Sequence, residues 1–284
     1  MKPVLCFGEV LWDCLPAGLF LGGAPINVAY HLHRLGTAVL PVTAVGDDFL
    51  GGEICRRLDT WKMDVRGIHV APGLPTGVVI ASLDEGGSAA YTIPGDSAWD
   101  HIELTQQVQK SAPDAAAIVF GSLALRGENN RWVLEALRGS APDALIVLDV
   151  NFRPPHDDLQ LAFTLMRSMS SHRALVKVNH HEAARLSGGG SADYETNARW
   201  ISHETGVNSV CVTAGAEGAG LWYQEAWHWE KARPVHVVDT VGAGDAFLAA
   251  LLHGLLREPH RPMEHLAAAC RSGERVAGLP GAQC

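Results

Sequence analysis

From about residue 110 the chain alternates short apolar runs with amphipathic stretches, and this alternation narrows the folds open to it. Ala116 to Gly121 is apolar, and Glu128 to Leu137 has helical spacing. Ala144 to Val150 reads as a strand, followed by a helical Asp157 to Met169. Ala174 to Val178 is the next strand, then come helical stretches from His180 to Leu186 and Glu195 to Glu204, and Ser209 to Thr213 closes the series. Strand-length apolar runs separated by amphipathic helices imply a mainly parallel sheet covered on both faces. Ligands on such sheets collect at the C-terminal ends of the strands. Here those ends are Phe7-Gly8-Glu9, Gly121-Ser122, Asp149-Val150-Asn151, Lys177-Val178-Asn179 and Thr213-Ala214-Gly215, rich in small and polar residues.

The first 100 residues have a different texture. Pro3 to Gly8 reads as a buried first strand. Ile26 to Leu35 and Phe49 to Trp61 have helical spacing. Cys14 to Gly22 and Gly77 to Ile93 hold short β-like runs with turn residues such as Asp84-Glu85-Gly86-Gly87, and are expected to form a small sheet apart from the main one. A chain of 284 residues can bury roughly three quarters of its unfolded surface. One domain over 1–284 is expected, with a lid contributed by about 14–22 and 76–95. Ser187-Gly188-Gly189-Gly190-Ser191 reads as a flexible loop by composition.

Charge and composition exclude several classes. The net charge of −9 lacks the basic field that a nucleic-acid surface needs. The cysteines at 6, 14, 55, 211, 270 and 284 form no CxxC pair, which suggests reduced thiols in a cytoplasmic protein. In His181-Glu182-Ala183-Ala184-Arg185 an arginine stands where a second zinc ligand would be. Glu9 and Asp13 interrupt the apolar N-terminus, which therefore does not read as a secretion signal. No span approaches the roughly 20 apolar residues of a membrane helix.

The stretch Asp239-Thr240-Val241-Gly242-Ala243-Gly244-Asp245-Ala246-Phe247 carries the chemistry. It follows a β-like Val235 to Val238 and opens an apolar helical pattern from Ala246 to Leu256. A Gly-Ala-Gly turn at a helix start exposes backbone N–H groups without helical acceptors, and the helix dipole adds positive potential there. Asp245 beside such an anion site would suit removal of a proton from a hydroxyl that attacks phosphorus. The alternative is a glycine-rich turn with an N-capping Asp. Neither a GxxxxGK[ST] loop nor a GxGxxG after the first strand occurs. Gly215-Ala216-Glu217-Gly218-Ala219-Gly220 precedes a strand and fits a hairpin turn or nucleotide-edge loop.

Several segments together resemble the ribokinase-like carbohydrate kinases, also called the PfkB family. Asp239 to Phe247 is similar to the family's C-terminal signature. Gly22-Gly23-Ala24-Pro25-Ile26-Asn27-Val28-Ala29, continuing to Leu35-Gly36, resembles its N-terminal signature, and Gly46-Asp47-Asp48-Phe49-Leu50-Gly51 the loop that follows. Asn179-His180-His181-Glu182 resembles its NxxE element, Thr213 to Gly218 its nucleotide loop, and Asp149-Val150-Asn151-Phe152-Arg153 its D-x-N-x-R element. The resemblance spans nearly the whole chain. It implies a three-layer α/β/α sandwich with a mainly parallel central sheet plus a small β-sheet lid.

It also implies roles. Asp245 would be the catalytic base, and the N–H groups of Gly242, Ala243 and Gly244 the anion hole. Asn179 and Glu182 would order Mg2+ largely through water; Asn179 could instead be a helix N-cap. Asp13, Gly23 and Asn27 match sugar contacts, with a solvated loop acid as the other reading of Asp13. Tyr91 and Ile93 lie where a lid would cover the sugar, or are ordinary strand residues. Asn151 belongs to the same substrate side. Arg153 could reach ATP phosphates or an acidic substrate group, and Lys177 could face the nucleotide; either could be a structural ion pair. Thr213, Gly215 and Gly218 would meet ATP, with Cys270 near the adenine where many relatives carry Asn.

The Gly-Gly-Ala-Pro-x-Asn-Val-Ala form resembles the fructokinase branch, so an ATP-dependent fructokinase is expected. The alternatives are a 2-keto-3-deoxygluconate kinase and, in a different class, a non-catalytic sugar-binding relative. The expected partners are the sugar and ATP, with neither nucleic acid nor membrane. A monovalent cation such as K+ near Asp239, Val241 and Gly281 follows by family analogy. An exposed lid edge could pair across a homodimer.

Overall fold

The structure is a computed structural model in which residues 2–15, 18–83, 89–189, 193–279 and 281–282 are described. The chain begins with β1 (Val4–Phe7), then β2 (Leu11–Leu15), β3 (Gly18–Gly22) and helix α1 (Ala24–Arg34). There follow β4 (Val39–Gly46), α2 (Phe49–Thr60), β5 (Ile68–Ala71), β6 (Gly77–Leu83) and β7 (Ala89–Thr92). The regular alternation comes next: α3 (Gln106–Ser111), β8 (Ala117–Gly121), α4 (Glu128–Gly139), β9 (Leu145–Asp149), α5 (Leu159–Ser168), β10 (Ala174–Asn179), α6 (His180–Leu186), α7 (Tyr194–Thr205) and β11 (Val210–Thr213). A hairpin of β12 (Gly218–Tyr223) and β13 (Ala226–Lys231) precedes α8 (Ala243–Arg257) and α9 (Pro262–Ala277).

Nine strands form one sheet in the order β13-β12-β11-β10-β9-β8-β1-β4-β5. The pairs from β11 to β5 are parallel, while β12 and β13 add antiparallel at one edge. Alternate side chains divide between two cores, as the two-residue strand period requires. Leu5 and Phe7 join Leu134, Leu165 and Ile201 of α4, α5 and α7. Val4 and Cys6 join Ile26, Leu58, Leu248 and Leu266 of α1, α2, α8 and α9. Each fully buried large aliphatic side chain contributes roughly 1.5–3 kcal/mol. These two cores fix the three layers and point the strand ends Asp149, Asn179 and Thr213 toward one side.

The small sheet has four strands in the order β3-β2-β6-β7. Trp12 and Leu21 are paired across β2 and β3 and anchor this sheet in the α1 core. Asp13 follows Trp12 in β2, on the opposite face, in register with Phe20 and Val79. The expected run from Cys14 to Gly22 is thus two strands, and Asp13 is a half-buried strand residue rather than a loop acid.

Two further expectations are corrected. Val235 to Val238 is not a strand: β13 ends at Lys231, and Val235, Val237 and Val238 are exposed by 43%, 55% and 54%. They run along the end of α9, where the Val238 N–H donates to the Ala277 carbonyl. Helix α8 starts three residues earlier than its apolar pattern suggested, so Asp245 sits inside its first turn. The strand β4, next to the edge strand β5 and buried throughout, does not stand out in the sequence, because Pro41 interrupts its apolar run.

Candidate active site

The loop into α8 is held by Asp239. Its two carboxylate oxygens accept from the amides of Val241 at 3.0 Å and Gly281 at 3.1 Å. Gly242 is the N-cap with φ of 78°, a left-handed conformation that favours glycine. A Cβ there would also lie 2.5 Å from Cβ of Ala282. The first helical bond runs from the Ala246 N–H to the Gly242 carbonyl at 2.9 Å. Ala243 N–H is engaged with the Thr240 carbonyl at 3.3 Å, whereas the amides of Gly242, Gly244 and Asp245 find no acceptor among the described residues. The free donors therefore include the amide of Asp245, and the expected Ala243 donor is shared with a turn.

Asp245 is 8% exposed. Its Oδ2 accepts from Nδ2 of Asn27 at 2.8 Å. It does not cap α8, which removes the N-capping alternative. Burial, then the nearby Asp149 carboxylate, pushes its pKa up to about 6, opposed by Asn27, Lys177 and Arg153. Asn27 is buried in the second turn of α1, whose entry depends on Gly23. Gly23 has φ of 109°, and a side chain there would collide with the Glu9 carbonyl oxygen.

Two more carboxylates face the same region. Burial raises the Asp13 pKa to about 6, with Arg153 pulling it down. Glu9 went unnoticed in the sequence as a functional group. It is 4% exposed; Oε1 accepts from the Ala24 N–H at 3.2 Å, and Oε2 has no partner among the described residues. Burial raises its pKa to about 7, while Arg153 lowers it and Asp245 raises it. Its only sequence signal is a charged residue directly after a strand that ends in glycine. Arg153 is exposed, and its Nη1 donates to the Phe152 carbonyl at 3.2 Å. It therefore acts on Glu9, Asp13 and Asp245 through its field. Asn151, two residues beyond the end of β9, has φ of 43°.

Beneath the first turn of α8 lies a buried ion pair. Lys177 Nζ donates to both oxygens of Asp149 at 2.9 and 2.8 Å, and a Cβ on Gly244 would lie 3.4 Å from the same Nζ. Burial lowers the Lys177 pKa, but Asp149, Glu182 and Asp245 outweigh it and hold the amine above its usual value. The ion-pair alternative thus describes Lys177, whose charge supports the helix start from below.

Asn179 and Glu182 form a capping box. Asn179 Oδ1 accepts from the Glu182 N–H at 2.9 Å, and Glu182 Oε2 accepts from the Asn179 N–H at 2.8 Å. Glu182 Oε1 accepts from the Phe152 N–H at 2.8 Å, tying the first turn of α6 to the loop that carries Asn151 and Arg153. The N-cap alternative for Asn179 is therefore present in full. Burial, then Asp149, raises the Glu182 pKa. No group of three or more metal-ligating side chains occurs among the described residues.

Thr213 ends β11, and Gly215 and Gly218 bound the turn into β12 at the same side of the sheet. Cys270 is instead 7% exposed within the α8–α9 layer, and burial pushes its thiol to about 12. It packs as core and offers little to a nucleobase. Tyr91 lies opposite Ala81 in β7; its side chain is outside the described residues.

A buried carboxylate thus stands beside free helix-start amides, with Asp149 and the cations Lys177 and Arg153 acting on it. The model of the pfkB family carbohydrate kinases matches residues 7–280. The chain is 31% identical over 262 residues to the fructokinase of Salmonella typhimurium, covering 89% of this chain and 84% of that protein. It is 29% identical over 263 residues to the fructokinase of Rhizobium leguminosarum bv. trifolii, covering 89% and 79%. The solved fructokinase of Vibrio cholerae O395 with fructose, ADP and potassium ion bound superimposes with a TM-score of 0.83 at 24% identity, over 100% of this chain and 94% of that one, which speaks to the fold. The chain belongs to the pfkB family of carbohydrate kinases.

Proposed function

We propose that this carbohydrate kinase transfers the γ-phosphoryl group of ATP to a hydroxyl of fructose. The observation that carries the reading is Asp245, buried and hydrogen-bonded to Asn27, beside the free amides at the start of α8. The Asp245 carboxylate takes the hydroxyl proton, and that oxygen bonds to the γ-phosphorus. The bond from phosphorus to the bridging oxygen breaks, and its electron pair leaves with ADP. A pKa of about 6 leaves Asp245 ionised at neutral pH and more basic than an ordinary aspartate. The amides of Gly242, Gly244 and Asp245 stabilise charge on the transferring group, at about 10²–10³ in rate per well-placed donor. Asp13, Gly23, Asn27, Asn151 and Tyr91 bind the sugar, with the small sheet as its lid. Thr213, Gly215 and Gly218 meet the nucleotide.

Mg2+ fits the donor set. Each Glu182 oxygen accepts one backbone N–H and keeps a lone pair for a metal-bound water, as a strongly hydrated cation prefers. Asn179 and Glu182 would hold it, and when bound it neutralises phosphate charge. Carbonyls of Asp239, Val241 and Gly281 are our assignment for a monovalent cation such as K+. The β3 edge, with Leu19 and Phe20 exposed, is our candidate for homodimer pairing. No described helix is long and apolar enough to cross a membrane; a cytoplasmic protein is our reading of its scattered thiols.

Fructose rests on the named relatives, of which the Salmonella fructokinase is 31% identical. One observation favours an acidic sugar as a second reading. Arg153 is an exposed cation with no carboxylate partner at ion-pair distance among the described residues, so a substrate carboxylate such as that of 2-keto-3-deoxygluconate could meet it. The test is ADP release with ATP and Mg2+ across fructose, ribose, 2-keto-3-deoxygluconate, adenosine and glucose. Fructose should give the highest kcat/KM. Preference for the acid would install the second reading, and no turnover on any would overturn both.

A further inference from the structure

Arg126 joins three segments around the candidate site, at Asp100, Pro94 and His156. Its Nε and Nη2 donate to Asp100 Oδ1 at 2.8 Å and Oδ2 at 2.6 Å. Nη2 also donates to the Pro94 carbonyl at 2.7 Å, and Nη1 to Nε2 of His156 at 3.1 Å. The guanidinium lies over the Trp99 ring, 4.2 Å from its centroid. The pair with Asp100 is largely buried, with side chains 14% and 11% exposed.

Each contact leads to a different part of the reaction centre. Pro94 is the stem by which the chain leaves β7 of the lid. Trp99 backs the other stem: a Cβ on Gly77, the first residue of β6, would lie 2.5 Å from its Nε1. His156 is bridged to Arg153, its N–H donating to the Arg153 carbonyl at 2.7 Å. Burial, then Arg126, lowers the His156 pKa, which keeps its ring neutral and able to accept from the guanidinium. A two-point carboxylate fork fixes both the position and the plane of an arginine. Motion of the lid stems must therefore move Arg126, and with it the loop that carries Arg153.

We propose that Arg126 is a positioning residue that couples the lid to Arg153, so that lid placement and the cation facing Glu9, Asp13 and Asp245 are set together. This rests on the reading of the small sheet as a substrate lid and of Arg153 as a substrate-side cation. An apolar side chain could fill the same volume, but only a planar cation with five donors reaches Asp100, Pro94 and His156 at once.

The test uses the full chain with Arg126→Gln, and with Arg126→Lys, which keeps the charge against Asp100 but loses the fork. Backbone hydrogen exchange without sugar should accelerate at 92–97 and at 152–156 together, by about tenfold or more. In turnover the KM for the sugar should rise by about 10- to 100-fold, with the KM for ATP unchanged. ATP hydrolysed per sugar phosphorylated should increase, because a misplaced lid admits water. Adding Arg126→Gln to Arg153→Gln should not raise the sugar KM further, since both act through one group. Exchange that changes at only one of the two segments overturns the coupling. So does a folded variant with unchanged sugar KM and unchanged hydrolysis. If Arg126→Gln does not fold, Arg126→Lys is read by the same criteria. If no sugar is turned over even by the wild type, the functional reading fails, and the exchange pattern alone decides the coupling.

Discussion

Asn27 and Asp245 are joined by a 2.8 Å hydrogen bond across 218 positions of sequence. The bond links the second turn of α1 to the first turn of α8, so the two signature segments are one site only in the folded chain. It also sets chemistry, because it does most to hold the Asp245 pKa down against burial and Asp149.

Replacing Asn27 by Leu should therefore raise the Asp245 pKa above about 6. The base must be ionised to act, so the acid limb of the kcat profile should move to higher pH, by about one unit if one charge-assisted hydrogen bond is lost. Turnover would fall more near pH 6 than near pH 8. A pH–rate profile of the variant checks the direction.

Glu9 makes a stability prediction. Its folded pKa of about 7 lies above its ordinary 4.5, so the protonated form favours folding. That contribution is whole below about 4.5 and is lost as pH rises through about 7. Glu9→Gln cannot ionise and keeps an oxygen for the Ala24 amide. Its stability relative to wild type should grow between about pH 5 and pH 8, toward an upper value on the order of 3 kcal/mol. Urea unfolding at the two pH values measures it.

Lys177→Met should be far more damaging than its distance from solvent suggests. It leaves Asp149 buried without its cation, at a cost of about 3–5 kcal/mol. Adding Asp149→Leu should restore most of the loss in denaturant unfolding, although not the turnover, since the positive charge under Gly244 would still be missing.

Asn179→Ala removes the cap of α6 and should cost about 1 kcal/mol. Under the proposed role it should also raise the Mg2+ concentration needed for half-maximal turnover. A stability loss with an unaltered Mg2+ requirement would reduce Asn179 to a cap.

Much of this was legible in the sequence for identifiable reasons. The strands β8 to β11 are mainly apolar up to their polar C-terminal ends because both faces are covered, and the start of α8 is marked by Gly242, whose left-handed backbone favours glycine. Other features depended on partners far away in sequence. The role of Lys177 turned on Asp149, 28 residues earlier. Glu9 is legible in the sequence only as a polar strand end, because Ala24 and Asp245, which act on it, are distant in the chain. Val235 to Val238 had the composition of a strand but no sheet neighbour, since β13 ends the sheet at Lys231. The resemblance puts Cys270 near the adenine, but its burial in the α8–α9 layer depends on side-chain packing that helix spacing alone does not settle.

The most direct measurement is the turnover of Asp245→Asn with ATP, Mg2+ and fructose, alongside fructose affinity measured in the absence of chemistry. The carboxamide keeps the size of Asp245 and its contact with Asn27 but cannot take the hydroxyl proton. The account predicts a kcat lower by about 10²-fold or more with fructose binding retained. Unimpaired turnover would contradict the assignment of Asp245 as the base.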